Sequence, residues 1–184
     1  MSSGQKKIKT DINIRFCGIG GMGVISMSII LGKAAIYDKK NAAQTQSYGA
    51  EQRGSKVKSD IIISDKEMIS YPIIEKADVL VALSQDAFET YFPTTRKDGI
   101  ILINSDLVNI YEELNHLYKI PATKLALELN NKKVANLIML GSLVKVVKII
   151  SKDSILKSII ETFPKKYKDQ NIQAFQRGFE YINS

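Results

Sequence analysis

The sequence predicts an α/β fold: a single doubly wound, mostly parallel sheet flanked by helices, with a helical C-terminal part. Three observations carry this. Val79-Leu80-Val81-Ala82-Leu83 and Ile100-Ile101-Leu102-Ile103 are short continuous apolar runs, the composition of central parallel strands covered on both faces. Ile8 to Phe16 alternates apolar and polar residues, breaks at glycines, and gives way to a helix-period segment, Val24 to Tyr37. Strand and helix patterns then alternate, which implies right-handed crossovers within one sheet.

The 184 residues fit one domain, expected over residues 8–184 after an unstructured lead-in at 1–7. A chain of this size buries roughly 70% of its unfolded surface, so no disulfide or metal staple is required. The single cysteine, Cys17, excludes an internal disulfide and suits a reducing compartment. The start is polar and lysine-rich, without the apolar stretch of a secretory signal. The longest apolar run, Val134 to Ile150, is interrupted by Lys145 and Lys148, as in a buried helix and not a membrane span. A cytoplasmic location is therefore expected, with no membrane partner. The formal charge of +7 favours anionic partners, but it is spread over the N-terminal start and the C-terminal helices. No nucleic-acid-binding motif accompanies it.

Taken in order, Ile8, Ile12, Ile14 and Phe16 fall on one face of the first strand, and Gly18 through Gly23 end it. Val24, Ile25, Met27, Ile30, Leu31, Ala34 and Ala35 then make a broad apolar helix face. Asp38 to Asn41 is a polar turn, and Gln44 to Gly54 a polar, glycine-punctuated loop. Lys56 to Ser64 reads as a strand with a buried end, and Tyr71-Pro72 as an extended dipeptide. Ser84 or Asp86 is placed to cap a helix reaching about Tyr91. Asp98-Gly99 is expected to turn the chain into the Ile100 strand. Tyr118 to Ile120 adds a short strand, and Thr123 caps a helix that ends at Asn130-Asn131. The run from Val134 to Ile150 packs on the sheet, and Ser154 to Phe163 and Lys165 to Ile182 form two amphipathic helices parted by Pro164.

Gly18, Gly20 and Gly23 satisfy Gly-x-Gly-x-x-Gly directly after a strand and at the start of a helix. Such a turn admits positive φ and lets a phosphate or another backbone come close; it can also serve helix–strand packing alone. A dinucleotide site needs, in addition, an acidic residue about 20 positions further on. That region reads Asn41-Ala42-Ala43-Gln44-Thr45 and carries no carboxylate. The second polar stretch has no nucleophile–base pair and no metal-ligand cluster. It offers the amides of Gln44 and Gln46, the hydroxyl of Ser47, the phenol of Tyr48 and the forked guanidinium of Arg53, with Glu51 close enough in sequence to pair with it. His116 lies in a polar, helix-like segment and reads as a surface residue. Cys17 reads as a small buried side chain. Complete chemistry on this chain alone is not expected.

Together, Gly18-Ile19-Gly20-Gly21-Met22-Gly23-Val24 and Gln44-Thr45-Gln46-Ser47-Tyr48-Gly49-Ala50-Glu51-Gln52-Arg53-Gly54 resemble the gamma subunit of 2-oxoacid:ferredoxin (acceptor) oxidoreductases. The resemblance continues through Ser70-Tyr71-Pro72, Ala77 to Gln85, Ile120-Pro121-Ala122-Thr123, Ala135-Asn136 with Leu140-Gly141, and Asn171 with Ala174-Phe175 and Gly178. It implies a subunit of an enzyme that decarboxylates a 2-oxoacid on thiamine diphosphate, passes electrons through iron–sulfur clusters to ferredoxin, and delivers the acyl group to coenzyme A. Thiamine diphosphate, magnesium and the clusters would belong to partner subunits, since one cysteine cannot supply the about four thiolates of a cluster. Catalytic alpha and beta subunits and a ferredoxin-like delta subunit are the implied partners. The resemblance places a shared coenzyme A site on Gly18, Gly20, Gly21, Gly23, Gln46, Ser47, Tyr48, Gly49, Glu51 and Arg53. Met22 stands where the family usually has glutamine, and Ser55 where a second glycine is common. The Gln-Thr-Gln-Ser-Tyr-Gly form most resembles the 2-oxoglutarate branch. A free-standing dinucleotide-binding domain and a basic nucleic-acid-binding module are the alternatives.

Overall fold

The computed structural model describes residues 11–49, 55–65, 68–111 and 113–182. The strands are β1 (Asp11–Ile19), β2 (Asn41–Tyr48), β3 (Lys56–Ser64), β4 (Ala77–Ala82), β5 (Thr95–Asn104) and β6 (Leu117–Ile120). The helices are α1 (Val24–Tyr37), α2 (Gln85–Tyr91), α3 (Ala122–Glu128), α4 (Ala135–Val147), α5 (Lys152–Thr162) and α6 (Lys168–Tyr181). The expected lead-in at 1–7 lies outside the described residues. No helix among the described residues is long and apolar enough to cross a membrane.

One sheet runs in the order β2-β3-β1-β4-β5-β6. The β1–β4, β4–β5 and β5–β6 pairings are parallel. β3 runs antiparallel to both of its neighbours. The sheet is thus mostly parallel, as predicted, with β3 inserted backwards between β1 and β2.

The two faces are covered unequally. Alternation along β1 sends Ile14 and Phe16 to one face and Arg15 and Cys17 to the other. Ile14, Phe16, Val79, Val81 and Leu102 pack beneath a helical layer that includes Met27, Leu31, Leu125, Leu140, Ile159 and Phe175. On the opposite face Cys17, Leu80, Ala82, Ile101 and Ile103 meet Ala87 and Phe88 of the short α2, and Val108. Within the helical layer α4 and α6 nearly touch: a Cβ on Gly178 would sit 1.9 Å from the Ile138 carbonyl oxygen, and one on Gly141 2.1 Å from that of Phe175. Asp38, just past α1, ties that helix to α5 by accepting from the Ser151 N–H at 2.5 Å, the Ser151 hydroxyl at 2.7 Å and the Ser154 hydroxyl.

Several local expectations are corrected. Asn41–Tyr48 is an edge strand and not a loop: its backbone pairs with β3 from Asn41↔Ser64 to Tyr48↔Val57, and polar side chains are tolerated where half the strand faces water. β1 continues through Gly18, paired with Val57, so the turn begins only after Ile19. Asp98 and Gly99 lie inside β5, where a register shift against Ala77–Val79 absorbs them. Pro121 precedes α3 as its cap residue, and Thr123 instead accepts from the Asn104 amide at 2.9 Å. Ser84 precedes α2 without a side-chain capping bond. His116 is not helical; it sits in a turn at φ 57, where its carbonyl accepts from Ile101 N–H at 3.0 Å.

On the α2 face a buried ion pair joins three segments. Arg15 of β1 and Asp60 of β3 are direct cross-strand partners. Arg15 Nε reaches Oδ1 at 2.8 Å and Nη2 reaches Oδ2 at 2.7 Å, and both side chains are almost fully buried. The guanidinium also donates to the Ile74 carbonyl at 2.8 Å and to the Thr94 hydroxyl, so one side chain bridges the sheet, the 68–76 segment and the turn after α2. Removing one partner strands a desolvated charge, the costly case for a buried pair. Asp60→Asn is therefore expected to lower unfolding free energy by about 3–5 kcal/mol in urea denaturation of the isolated chain. A change within about 0.5 kcal/mol, the range of an ordinary surface substitution, would show that the pair holds nothing together.

Candidate functional site

The chain leaves β1 at Ile19 and enters α1 at Val24 in a tight turn closed by Met22 N–H to the Ile19 carbonyl at 3.1 Å. Gly20 N–H donates to the Ser55 carbonyl at 3.1 Å, which pins the turn to the start of β3. Gly21 and Gly23 adopt φ 90 and φ 75, a region that L side chains rarely enter. Gly23 is the residue preceding α1, and no side chain caps that end. The first N–H groups of α1 thus lack an intrahelical acceptor and carry the positive end of the helix dipole.

Asn136, in the first turn of α4, fills the space beside Gly23. A Cβ there would lie 2.3 Å from its Nδ2, and the amide donates to the Gly23 carbonyl at 3.4 Å. This contact seats the start of α4 beside the start of α1, and two clefts open on either side of the turn. One, of about 530 Å³, is lined by residues that include Lys133, Asn136, Phe163, Tyr167 and Asn171. The other, of about 380 Å³, runs between the turn and the β2–β3 end, past Ile25, Tyr48, Ser55 and Val57. Gly21, Gly23 and Ser26 line both. The combination of unpaired N–H groups, a hydroxyl, a phenol, an ammonium and apolar walls suits an elongated ligand with both anionic and apolar parts.

Not every residue singled out from the sequence reaches this place. Gly20, Gly21, Gly23 and Tyr48 line the clefts, and Tyr48 is 60% exposed. Gly18 lies below the turn, where an added Cβ would meet Val24 at 3.0 Å and Leu83 at 3.2 Å, so its smallness serves packing. Gly49 closes the β2–β3 connection through its N–H to the Lys56 carbonyl at 2.9 Å. Gln46 and Ser47 are exposed on the edge strand and line neither cleft. Glu51 and Arg53 lie outside the described residues. Gln44 is exposed on the edge strand, as read from the sequence, and its Nε2 donates to the Ser28 and Ser59 hydroxyls, 2.9 Å each. Cys17 is fully buried, and burial pushes its thiol well above the ordinary range, far from a thiolate nucleophile. Ser26, Lys133 and Tyr167 are lining residues that the sequence motifs do not mark. Ser26 had a local signal, being a small polar residue one turn into the helix behind the glycines, whereas the other two come from segments more than a hundred residues away.

Residues 13–181 match the family described as pyruvate ferredoxin/flavodoxin oxidoreductase. The chain belongs to this family. It is similar to the 2-oxoglutarate synthase subunit KorC of Methanocaldococcus jannaschii, at 42% identity over 96% of each chain. It is also similar in structure to the keto/oxoacid ferredoxin oxidoreductase gamma subunit of Geobacter sulfurreducens, with a TM-score of 0.81 and 35% identity over 92% of this chain and 96% of that one. A 2-oxoglutarate:ferredoxin oxidoreductase from Magnetococcus marinus, solved with 2-oxoglutarate, coenzyme A and succinyl-CoA bound, shares the fold. Its TM-score is 0.85 at 22% identity, over 93% of this chain and 31% of that one. Within the pyruvate ferredoxin/flavodoxin oxidoreductase family the chain is thus a gamma subunit, a component of an oxidoreductase complex, as the motif resemblance implied.

Because Gly23 faces Asn136 without room for one carbon, Gly23→Ala is expected to destabilise the chain by about 2–4 kcal/mol, from the left-handed backbone and overpacking together. Trimming the neighbour in Gly23→Ala/Asn136→Ala relieves the clash but not the φ strain, so part of the loss returns. Thermal and urea denaturation of the cycle checks this; Gly23→Ala at wild-type stability would mean that the turn has slack.

Proposed function

We propose that this gamma subunit serves a thiamine diphosphate-dependent 2-oxoacid:ferredoxin oxidoreductase, with 2-oxoglutarate as the foremost substrate, and forms the coenzyme A side of its active site. In that reaction a 2-oxoacid and coenzyme A give an acyl-CoA and carbon dioxide, and two electrons pass to ferredoxin. Thiamine diphosphate with magnesium would supply the decarboxylation, and iron–sulfur clusters the electron path; both reside in the partner subunits, alpha, beta and a ferredoxin-like delta. This chain's part is to bind and orient. The single observation that carries the reading is the glycine turn, where two clefts meet at the uncapped start of α1.

Coenzyme A has phosphates at one end and a long, mostly apolar arm ending in a thiol. The α1 N–H groups, Ser26 and Lys133 would take the phosphates. Ile19, Ile25, Val57 and the ring of Tyr48 would line the path of the arm towards the catalytic subunits. Glu51 and Arg53 are further candidates for contact with the ligand. The KorC relative's name supports 2-oxoglutarate, while the family's own name keeps pyruvate as the second substrate to test.

The dinucleotide alternative fares worse for a topological reason. A dinucleotide-binding sheet brings the acidic end of the second strand beside the first. Here the reversed β3 lies next to β1, and the residues it presents at that end are Lys56 and Val57.

The test is reconstitution with the catalytic subunits. The assembled enzyme is expected to reduce ferredoxin only with a 2-oxoacid and coenzyme A present, faster with 2-oxoglutarate than with pyruvate, while the isolated chain turns over neither. Tyr48→Ala is expected to raise KM for coenzyme A about tenfold, or 1.4 kcal/mol, and to leave KM for the oxoacid unchanged. An unaltered KM for coenzyme A would remove the cleft from the site.

A further inference from the structure

At the opposite end of α1, about 20 Å from the glycine turn by the rise of a 14-residue helix, lies a cleft that the proposed function does not use. Its volume is about 430 Å³, and its lining includes Val144, Lys145, Lys148, Ile150, Lys152 and Phe179. The three lysines come from the last turn of α4, the residue that ends it and the first residue of α5, while Phe179 comes from α6. Lys145 and Lys152 both place their ammonium groups over the Phe179 ring, at 5.0 Å and 4.9 Å. None of the three lysines forms an ion pair among the described residues, and no carboxylate lines the cleft.

The α4 C-terminus accounts for only part of this charge. A helix end carries about half a negative charge, against three ammonium groups. Asp38, which the Ser151 and Ser154 hydrogen bonds tie to the start of α5, offsets one further charge. The surplus is positive and sits around an apolar floor.

We infer that this cleft is a docking surface for an acidic segment of a partner protein, whose carboxylates meet Lys145, Lys148 and Lys152 while an apolar side chain enters between Val144, Ile150 and Phe179. Charge complementarity argues for a negative occupant. The walls argue for protein over a phosphorylated small molecule. The start of α5, which would cradle a phosphate, is partly engaged: Ser154 N–H donates to the Ser151 hydroxyl at 3.2 Å, and Ser151 N–H to Asp38. No arginine is among the described residues that line the cleft, the Phe179 ring already carries two ammonium groups, and Val144, Ile149 and Ile150 make the rest of the floor aliphatic.

The experiment measures fluorescence anisotropy of the full chain with a labelled synthetic peptide of glutamates interspersed with leucines, at about 150 mM salt to screen diffuse attraction. Plain polyglutamate and inorganic tripolyphosphate serve as comparison probes. The leucine-bearing peptide is expected to bind about tenfold more tightly than polyglutamate. Lys145→Gln/Lys148→Gln/Lys152→Gln is expected to lose at least about tenfold, whereas Lys97→Gln/Lys119→Gln/Lys124→Gln, an equal charge change on exposed lysines elsewhere, keeps the affinity. Lys148→Asn alone, tolerated at the left-handed φ of 55, gives a roughly threefold loss and covers the case in which the triple variant unfolds. Equal losses in both triple variants, equal binding of polyglutamate, or tighter binding of tripolyphosphate would each overturn the assignment.

Discussion

The approach of Asn136 to Gly23 sets the geometry on which the site depends. Two helix starts, those of α1 and α4, converge on one turn because the residue between them has no side chain and a backbone that side chains disfavour. Given that contact, α1 runs away from the turn over the sheet, with Met27, Leu31 and Ala34 buried beneath it. α4 runs beside it and is locked to α6 at the paired glycines 141 and 178. The clefts on either side of the turn are what remains once these elements are fixed. The site is thus made by backbone proximity more than by reactive side chains, as suits a subunit whose reaction is completed on groups held elsewhere.

The reversal of β3 has an equal share in the result. By lying between β1 and β2 it carries Ser55 back to accept from Gly20, so the turn is braced from the sheet side as well as by α4. It also puts Arg15 opposite Asp60 and buries the pair under the turn after α2. The ion pair fixes the sheet's registry on one face while the apolar helical layer fills the other, and the glycine turn sits at the end of the strand that both share.

Much of this was legible in the sequence, because the signals were local. The glycine turn, the apolar β4, the apolar stretch of β5 and the helical C-terminal part each show in a short window of residue types. Asn136 and Asn171 stood within the motif resemblance, although their place beside the turn is a matter of folding. β2 escaped because its polar, glycine-bounded sequence reads as a loop; only pairing with β3 makes it a strand. The Arg15–Asp60 pair could not be read from residues 45 positions apart. Lys145, Lys148 and Lys152 looked like solvated helix faces in one dimension, and their gathering around Phe179 depends on how α4, α5 and α6 meet.

In the proposed function the glycine turn faces coenzyme A in the assembled enzyme. Hydrogen–deuterium exchange on the reconstituted complex, with and without coenzyme A, tests it most directly, because backbone amides are the groups assigned to the ligand. Added protection is expected at residues 20–26 and 48–57, with none along 143–152. Exchange at the turn that ignores coenzyme A while another segment of the chain becomes protected would contradict it.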